Sequence, residues 1–184
     1  MKKNVKLLVL VMVSLTLLSA AYAVNTTKDN RITKEKIINA QKKWADAIVS
    51  IGKAYTNKKD YKAVAAKTVD TLYGYDEGTV LFTPTKASKN QFRLTEKEAL
   101  SYFVTGIINE DEGFALQPWS KVRFENAGII INNGSATAMG NYYFTDAKTG
   151  KETKVEYTFG YLIDKNGDLL INVHHSSLPY NPVN

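Results

Sequence analysis

From Trp119 onward apolar and polar residues alternate with a period of two. Four segments carry the pattern: "KVRFENAGIIIN", "GSATAMGNYYFTD", "KETKVEYTFGYLID" and "DLLINVHHSS". Turns at Asn132-Asn133-Gly134, Ala147-Lys148-Thr149-Gly150 and Lys165-Asn166-Gly167-Asp168 separate them. Connections this short return the chain beside itself and leave no room for a crossover helix, so the four strands are expected to be antiparallel neighbours. One face of such a meander must be covered, and the only cover upstream is helical.

That cover is legible. Ile37, Trp44, Ile48, Ile51 and Tyr55 recur at helical spacing and predict a helix beginning near Thr33. Asp60 caps a second predicted helix from Tyr61 to about Leu72. The segment "TVLFTPT" (79–85) reads as a strand stopped by Pro84. Thr95 followed by Glu98 is a capping box, and the helix it opens is expected to bury Leu100, Phe103, Val104 and Ile107. The layout predicted is α+β, a cone-like fold with a curved antiparallel sheet packed against N-terminal helices.

The first 23 residues have a basic start, an apolar run from Leu8 to Leu18 and the small-residue ending Ala21-Tyr22-Ala23, the pattern of a secretory signal peptide. The expected organisation is a signal peptide over 1–23, a flexible leader over 24–32 and one domain over 33–184. No later segment is apolar enough to cross a bilayer, so no stable membrane insertion is expected once the signal is cleaved. The chain is formally +6, and losing Lys2, Lys3 and Lys6 with the signal leaves +3. Lysines and carboxylates alternate without a basic block, which argues against a nucleic-acid partner. Cysteine is absent, which excludes thiolate catalysis and every zinc site built on cysteine.

Both histidines of the chain stand together in "HHSS" (174–177). In a regular strand Leu169, Ile171 and Val173 share the inward face, which His175 and Ser177 then continue, while His174 and Ser176 point the other way. A bulge would reverse this assignment. Adjacent strand residues diverge, so the two imidazoles do not reach one ion without a bulge. A mixed zinc or manganese site, with His174 or His175 as its first ligand and carboxylates completing it, is one alternative. Another is that His175 is an ordinary core histidine and Ser177 a strand cap. Tyr102, a phenol on an otherwise apolar helix, and Thr85, beside Pro84, are further candidates for one polar pocket. Arg93 is expected to pair with a carboxylate or meet an anion, and Asp76 and Glu77 form a possible acidic contribution beside the first strand.

The blocks "YGYDEGTVLFTPT" (73–85), "FRLTEKEALSYFVTG" (92–106), "EDEGFALQPWSKVRFEN" (110–126), "AMGNYYFT" (138–145), "KVEYTFGY" (154–161) and "HHSSLPY" (174–180) resemble the iota-class carbonic anhydrases. These form a branch of the NTF2-like superfamily related to the association domain of calcium/calmodulin-dependent kinase. The resemblance spans Thr33 to Tyr180. One departure is Thr83, where the family pattern carries lysine.

The resemblance implies reversible hydration of CO2 to bicarbonate and a proton, a lyase reaction, with no cofactor expected and zinc or manganese as alternatives. It implies a pocket lined by Thr85, Tyr102, His175 and Ser177, with His174 and Ser176 in place of the last two if the strand bulges. Tyr102 and Ser177 would orient a water, Thr85 would fix a CO2 or bicarbonate oxygen, and His175 would take or relay the proton. A homodimer and export to the periplasm of a Gram-negative bacterium are also expected. Two other readings are an exported, non-enzymatic ligand-binding or assembly module, in which these side chains need not converge, and an isomerase or dehydratase using Asp76.

Overall fold

The computed structural model describes residues 31–182; the signal peptide expected over 1–23 and most of the leader lie outside it. Helix α1 (Lys34–Thr56) starts at Thr33, whose hydroxyl accepts the backbone N–H of Lys36 at 3.2 Å. Its buried stripe runs Ile37, Gln41, Trp44, Ala45, Ile48, Ile51. Tyr55, expected to continue it, is exposed. Ile32, the last residue of the expected leader, packs into the core.

Helix α2 (Tyr61–Leu72) is capped by Asp60. Strand β1 is only Leu81–Thr83, and α3 (Glu96–Val104) carries the reciprocal Thr95–Glu98 box. The third helix stops earlier than its apolar pattern suggests. Thr105 adopts φ 68°, a left-handed conformation that ends the helical path, so Ile107 emerges into solvent and Ile108 turns inward instead. Tyr102, by contrast, is buried.

After a 3-10 turn at Phe114–Leu116 come β2 (Trp119–Asn132), β3 (Ser135–Asp146), β4 (Glu152–Ile163) and β5 (Leu169–Ser177). These four form the expected antiparallel meander. The full sheet has the order β1-β5-β4-β3-β2, and β1 lies parallel to β5. The expectation of a cone-like, curved antiparallel sheet is therefore corrected. The sheet is mixed, and β1 and β2 remain separate edges, so it is neither closed nor strongly curled. The rule that short turns enforce antiparallel pairing governs only β2 to β5; β1 enters from α2 and reaches β5 over a long stretch of chain, which leaves its direction free.

Helix α1 lies across one sheet face. Trp44 meets Phe124, Tyr142, Phe144 and Phe159 at ring-centroid distances of 5.6–6.3 Å, most of them edge to face. The other face carries no described element, and Met139 stands exposed on it.

Three irregularities interrupt the pairing of this sheet, one of them at Ser120 near the start of β2. On β2 the pairing skips Ala127. On β5 Gly160 pairs with Val173 while Tyr161 pairs with Ile171, so Asn172 is the extra residue. A bulged residue shifts every side chain after it to the other face. Ile171, before the bulge, points inward, and after it His174 and Ser176 do so in place of Val173 and His175.

Candidate active site

The bulge corrects the expected phase of the last strand. His174 and Ser176 are buried, while His175 is exposed and Ser177 points to the outer face, its hydroxyl donating to Glu156 at 3.1 Å. His175 and Ser177 line an outer groove with Met139, Asn141 and Thr158. The four side chains expected to share a pocket thus do not converge under those numbers; Thr85 and Tyr102 line one cleft, Ser176 bonds Thr85, and His174 shares the inward face of β5 with Ser176.

Thr85 and Ser176 are the centre. Parallel pairing of β1 with β5 sets Thr83 opposite His175, and two residues later the Thr85 hydroxyl donates to Ser176 Oγ at 2.9 Å. Tyr142, from β3, is buried beside them, and the Ser176 and Thr85 hydroxyls partly offset the rise in pKa that its burial causes. Tyr102, from α3, accepts the backbone N–H of Lys86 at 3.4 Å, which ties it to the residue after Thr85. Burial raises both phenols well above the ordinary tyrosine value, so they remain hydroxyls.

Thr85 and Tyr102 open on a cleft of about 610 Å³, walled by Phe114, Leu116 and Gln117 and roofed by Lys86, Ala87 and Ser88. Glu110 fastens this roof. Its carboxylate accepts from the Ser88 hydroxyl at 2.6 Å and from the backbone N–H groups of Ser88, Lys89 and Asn90. Those donors, the Ser88 hydroxyl first, hold its pKa down to about 2.

His174 sits behind the hydroxyls in an aromatic cage. Its ring stacks on Phe82 at 4.4 Å and meets Phe159 at 4.3 Å, the residues opposite it on β1 and β4. Nδ1 lies 2.9 Å from the Tyr73 hydroxyl, which accepts from Trp44 Nε1 at 2.9 Å. Nε2 is buried and has no hydrogen-bond partner among the described residues. Burial, and secondarily the neighbouring His175, push the imidazole pKa well below its usual value.

Arg93 meets a carboxylate rather than an open anion site. Its Nη2 bonds Asp111 Oδ1 at 2.6 Å with both side chains fully buried, and Nη1 donates to the carbonyl of Asn90. Asp76 and Glu77 line a separate groove beside α1, away from the hydroxyl cluster. Among the described residues no three His, Asp or Glu side chains converge as metal ligands. His174 and His175, the first candidates for a metal, face opposite sides of the sheet and cannot share an ion.

Sequence reasoning missed Tyr142 as a site residue, although its inward phase on β3 follows from Ala136, Ala138 and Phe144. It placed the wrong pair of "HHSS" inward for want of the bulge. Gly160 was the available signal, since an isolated glycine inside a strand marks a bulge or a close approach.

Comparison with known proteins agrees with this geometry. A family model described as "Metal-independent carbonic anhydrase" matches residues 35–178. A metal-independent carbonic anhydrase from Nostoc sp. (strain PCC 7120) is 46% identical over 169 residues, covering 89% of this chain and 82% of that protein. The crystal structure of a cyanobacterial iota-carbonic anhydrase complexed with bicarbonate superposes with a TM-score of 0.80 at 46% identity, over 83% of this chain and 96% of that one. With the match running from the first turn of α1 to the end of β5, the chain belongs to the metal-independent, iota-class carbonic anhydrases.

Proposed function

We propose that this carbonic anhydrase adds water to CO2 at the hydroxyl cluster of Thr85, Ser176, Tyr102 and Tyr142, with His174 completing the site. The observation that carries the reading is the 2.9 Å contact between Thr85 and Ser176, made by a threonine that lines the cleft beside Tyr102 and Phe114. A related cyanobacterial enzyme has been crystallised with bicarbonate, the product of the same hydration.

The reaction forms one C–O bond between water and the carbon of CO2 and releases one water proton, giving bicarbonate. Hydroxyl groups both accept and donate, so one member of the Thr85–Ser176 pair can accept from the attacking water while its neighbours donate to the oxygens that gain charge. The phenols, held protonated by burial, are donors only to that charge. Their fixed positions supply orientation and preorganised stabilisation, the two largest effects open to a site that does not ionise its water by metal ligation. The released proton leaves for solvent through the cleft.

The test is stopped-flow CO2 hydration by the purified protein after exhaustive chelation, with metal content measured on the same sample. Full activity without metal is the expected result. Activity lost on chelation and restored by one added metal would sink the metal-free reading.

Export to the periplasm follows from the N-terminal pattern of residues 1–23. Homodimerisation through the uncovered sheet face is supported by exposed Met139 there and Ile130 on the edge strand β2. Among the described residues no helix is long and apolar enough to cross a membrane, and the mixed charge pattern offers nucleic acid no basic face. Sedimentation of the purified protein over a range of concentrations tests the dimer.

A further inference from the structure

We propose that Trp44 and Tyr73 lock His174 in the tautomer that carries its proton on Nε2, so that this imidazole serves the reaction as a hydrogen-bond donor to a substrate oxygen and not as the base. This rests on the assignment of His174 to the CO2 site and adds two positioning residues to it.

The protons along one chain of contacts fix the tautomer. Trp44 Nε1 can only donate, and its N–H points at the Tyr73 oxygen. Tyr73 has one proton of its own, and desolvation keeps it on the phenol. Phe82, Phe103 and Tyr75 pack against the Tyr73 ring, and among the described residues its hydroxyl meets, besides Trp44 Nε1, His174 Nδ1 at 2.9 Å. If Nδ1 held the proton, Tyr73 would accept twice and its own O–H would be buried against aromatic carbon, which costs about as much as a lost hydrogen bond. Tyr73 therefore donates and Nδ1 accepts. A neutral imidazole that accepts at Nδ1 carries its proton at Nε2. That is the buried atom with no partner among the described residues. A buried donor left unsatisfied by the protein asks for a ligand oxygen.

Each member is placed by the fold. Trp44 comes from the middle of α1, and Tyr73 is the first residue after α2, where the chain bridges to Ile171 of β5 and Gly74 N–H bonds the Ile171 carbonyl at 3.0 Å. Tyr73 is thus pinned to the same strand, three residues before His174, that carries the imidazole. Long-range nitrogen correlation spectra show which imidazole nitrogen bears hydrogen. The chain has two histidines, so in His175→Gln the remaining signal is His174.

The expected spectrum at pH 7 is a neutral ring protonated at Nε2 with Nδ1 bare, and bicarbonate is expected to shift the Nε2 resonance. In Tyr73→Phe the tautomer preference should fall by about tenfold, the population factor set by one hydrogen bond, and CO2 hydration should fall with kcat rather than KM. A ring protonated at Nδ1, or charged at pH 7, would overturn the proposal in the unsubstituted chain, without reliance on the folding of any core variant. An Nε2 signal that bicarbonate leaves unmoved in an active enzyme would overturn the substrate contact. A wild-type chain inactive in CO2 hydration would overturn the functional reading and the substrate contact with it. It would leave the tautomer to stand or fall on the spectrum.

Discussion

A Cβ built on Gly160 would lie 2.8 Å from the Cβ of Val173 and 2.9 Å from the Asn172 side-chain oxygen, across the bulge that turns His174 and Ser176 inward. Gly160→Ala is expected to force the two strands apart or expel the bulge. Overpacking of this kind costs about 1–3 kcal/mol, read as a lower urea midpoint. Activity should fall further than stability alone accounts for, because the strand's register selects which histidine and which serine point inward. An Ala variant with full activity at saturating stability would refute this coupling.

The two faces of β5 should separate cleanly in kinetics. Ser176→Ala and Thr85→Val each remove a hydroxyl from the cluster and are expected to lower kcat by about 10², the loss typical of one preorganised donor. His175→Ala and Ser177→Ala alter the outer face and should leave kcat/KM within about twofold of wild type. Reversal of that ranking in stopped-flow assays would return the site to the outer pair.

His174 should make the fold acid-sensitive. Its folded pKa is depressed by burial, so below the ordinary value of about 6.5 the unfolded chain binds a proton that the folded one refuses. Stability present above that pH is then lost as the pH falls. His174→Gln should flatten the urea midpoint between pH 6.5 and the acid limb to within about the error of the measurement; an unchanged slope would assign the sensitivity elsewhere.

Tyr102 and Tyr142 should hold their protons in alkali. Unfolded tyrosine ionises near about 10 while these two titrate higher because they are buried, so stability should decline as pH rises past that value. Ultraviolet titration should show both phenols silent at pH 10, and CO2 hydration should show no loss attributable to a phenolate below it. Tyr102→Phe should cut kcat by about 10² at every pH.

Arg93 and Asp111 are fully buried partners under the segment that roofs the cleft. Removing one leaves a charge uncompensated, so Asp111→Asn or Arg93→Leu is expected to destabilise by about 3–5 kcal/mol. Replacing both should recover most of that loss. Thermal unfolding of the single and double variants decides, and additive losses would show that the two do not act as a pair.

Much of this was legible before any coordinates. Helical spacing found α1 through Ile37, Trp44, Ile48 and Ile51, and Thr95 with Glu98 fixed the start of α3, because caps and apolar stripes are local signals. The short turns gave the four-strand meander for the same reason. The parallel docking of β1 was not legible, since nothing near Leu81 encodes a partner that lies beyond residue 170. Nor was the phase of "HHSS", which depends on one extra residue, Asn172, and on the space left by Gly160 in the facing strand. Thr85 and Tyr102 could be picked out because each is a polar residue in an apolar setting. Tyr142 could not, among eleven tyrosines, until Ser176 was placed beside it.

Thr85, in the turn after β1, and Ser176, on the neighbouring strand β5, lie 91 residues apart in the chain. A ribosome must therefore translate past Ser176 before the first and last contributors to the cluster can meet. A nascent chain released or cleaved short of His174 would retain both long helices and three of the meander's strands, yet lack two of the site's five side chains.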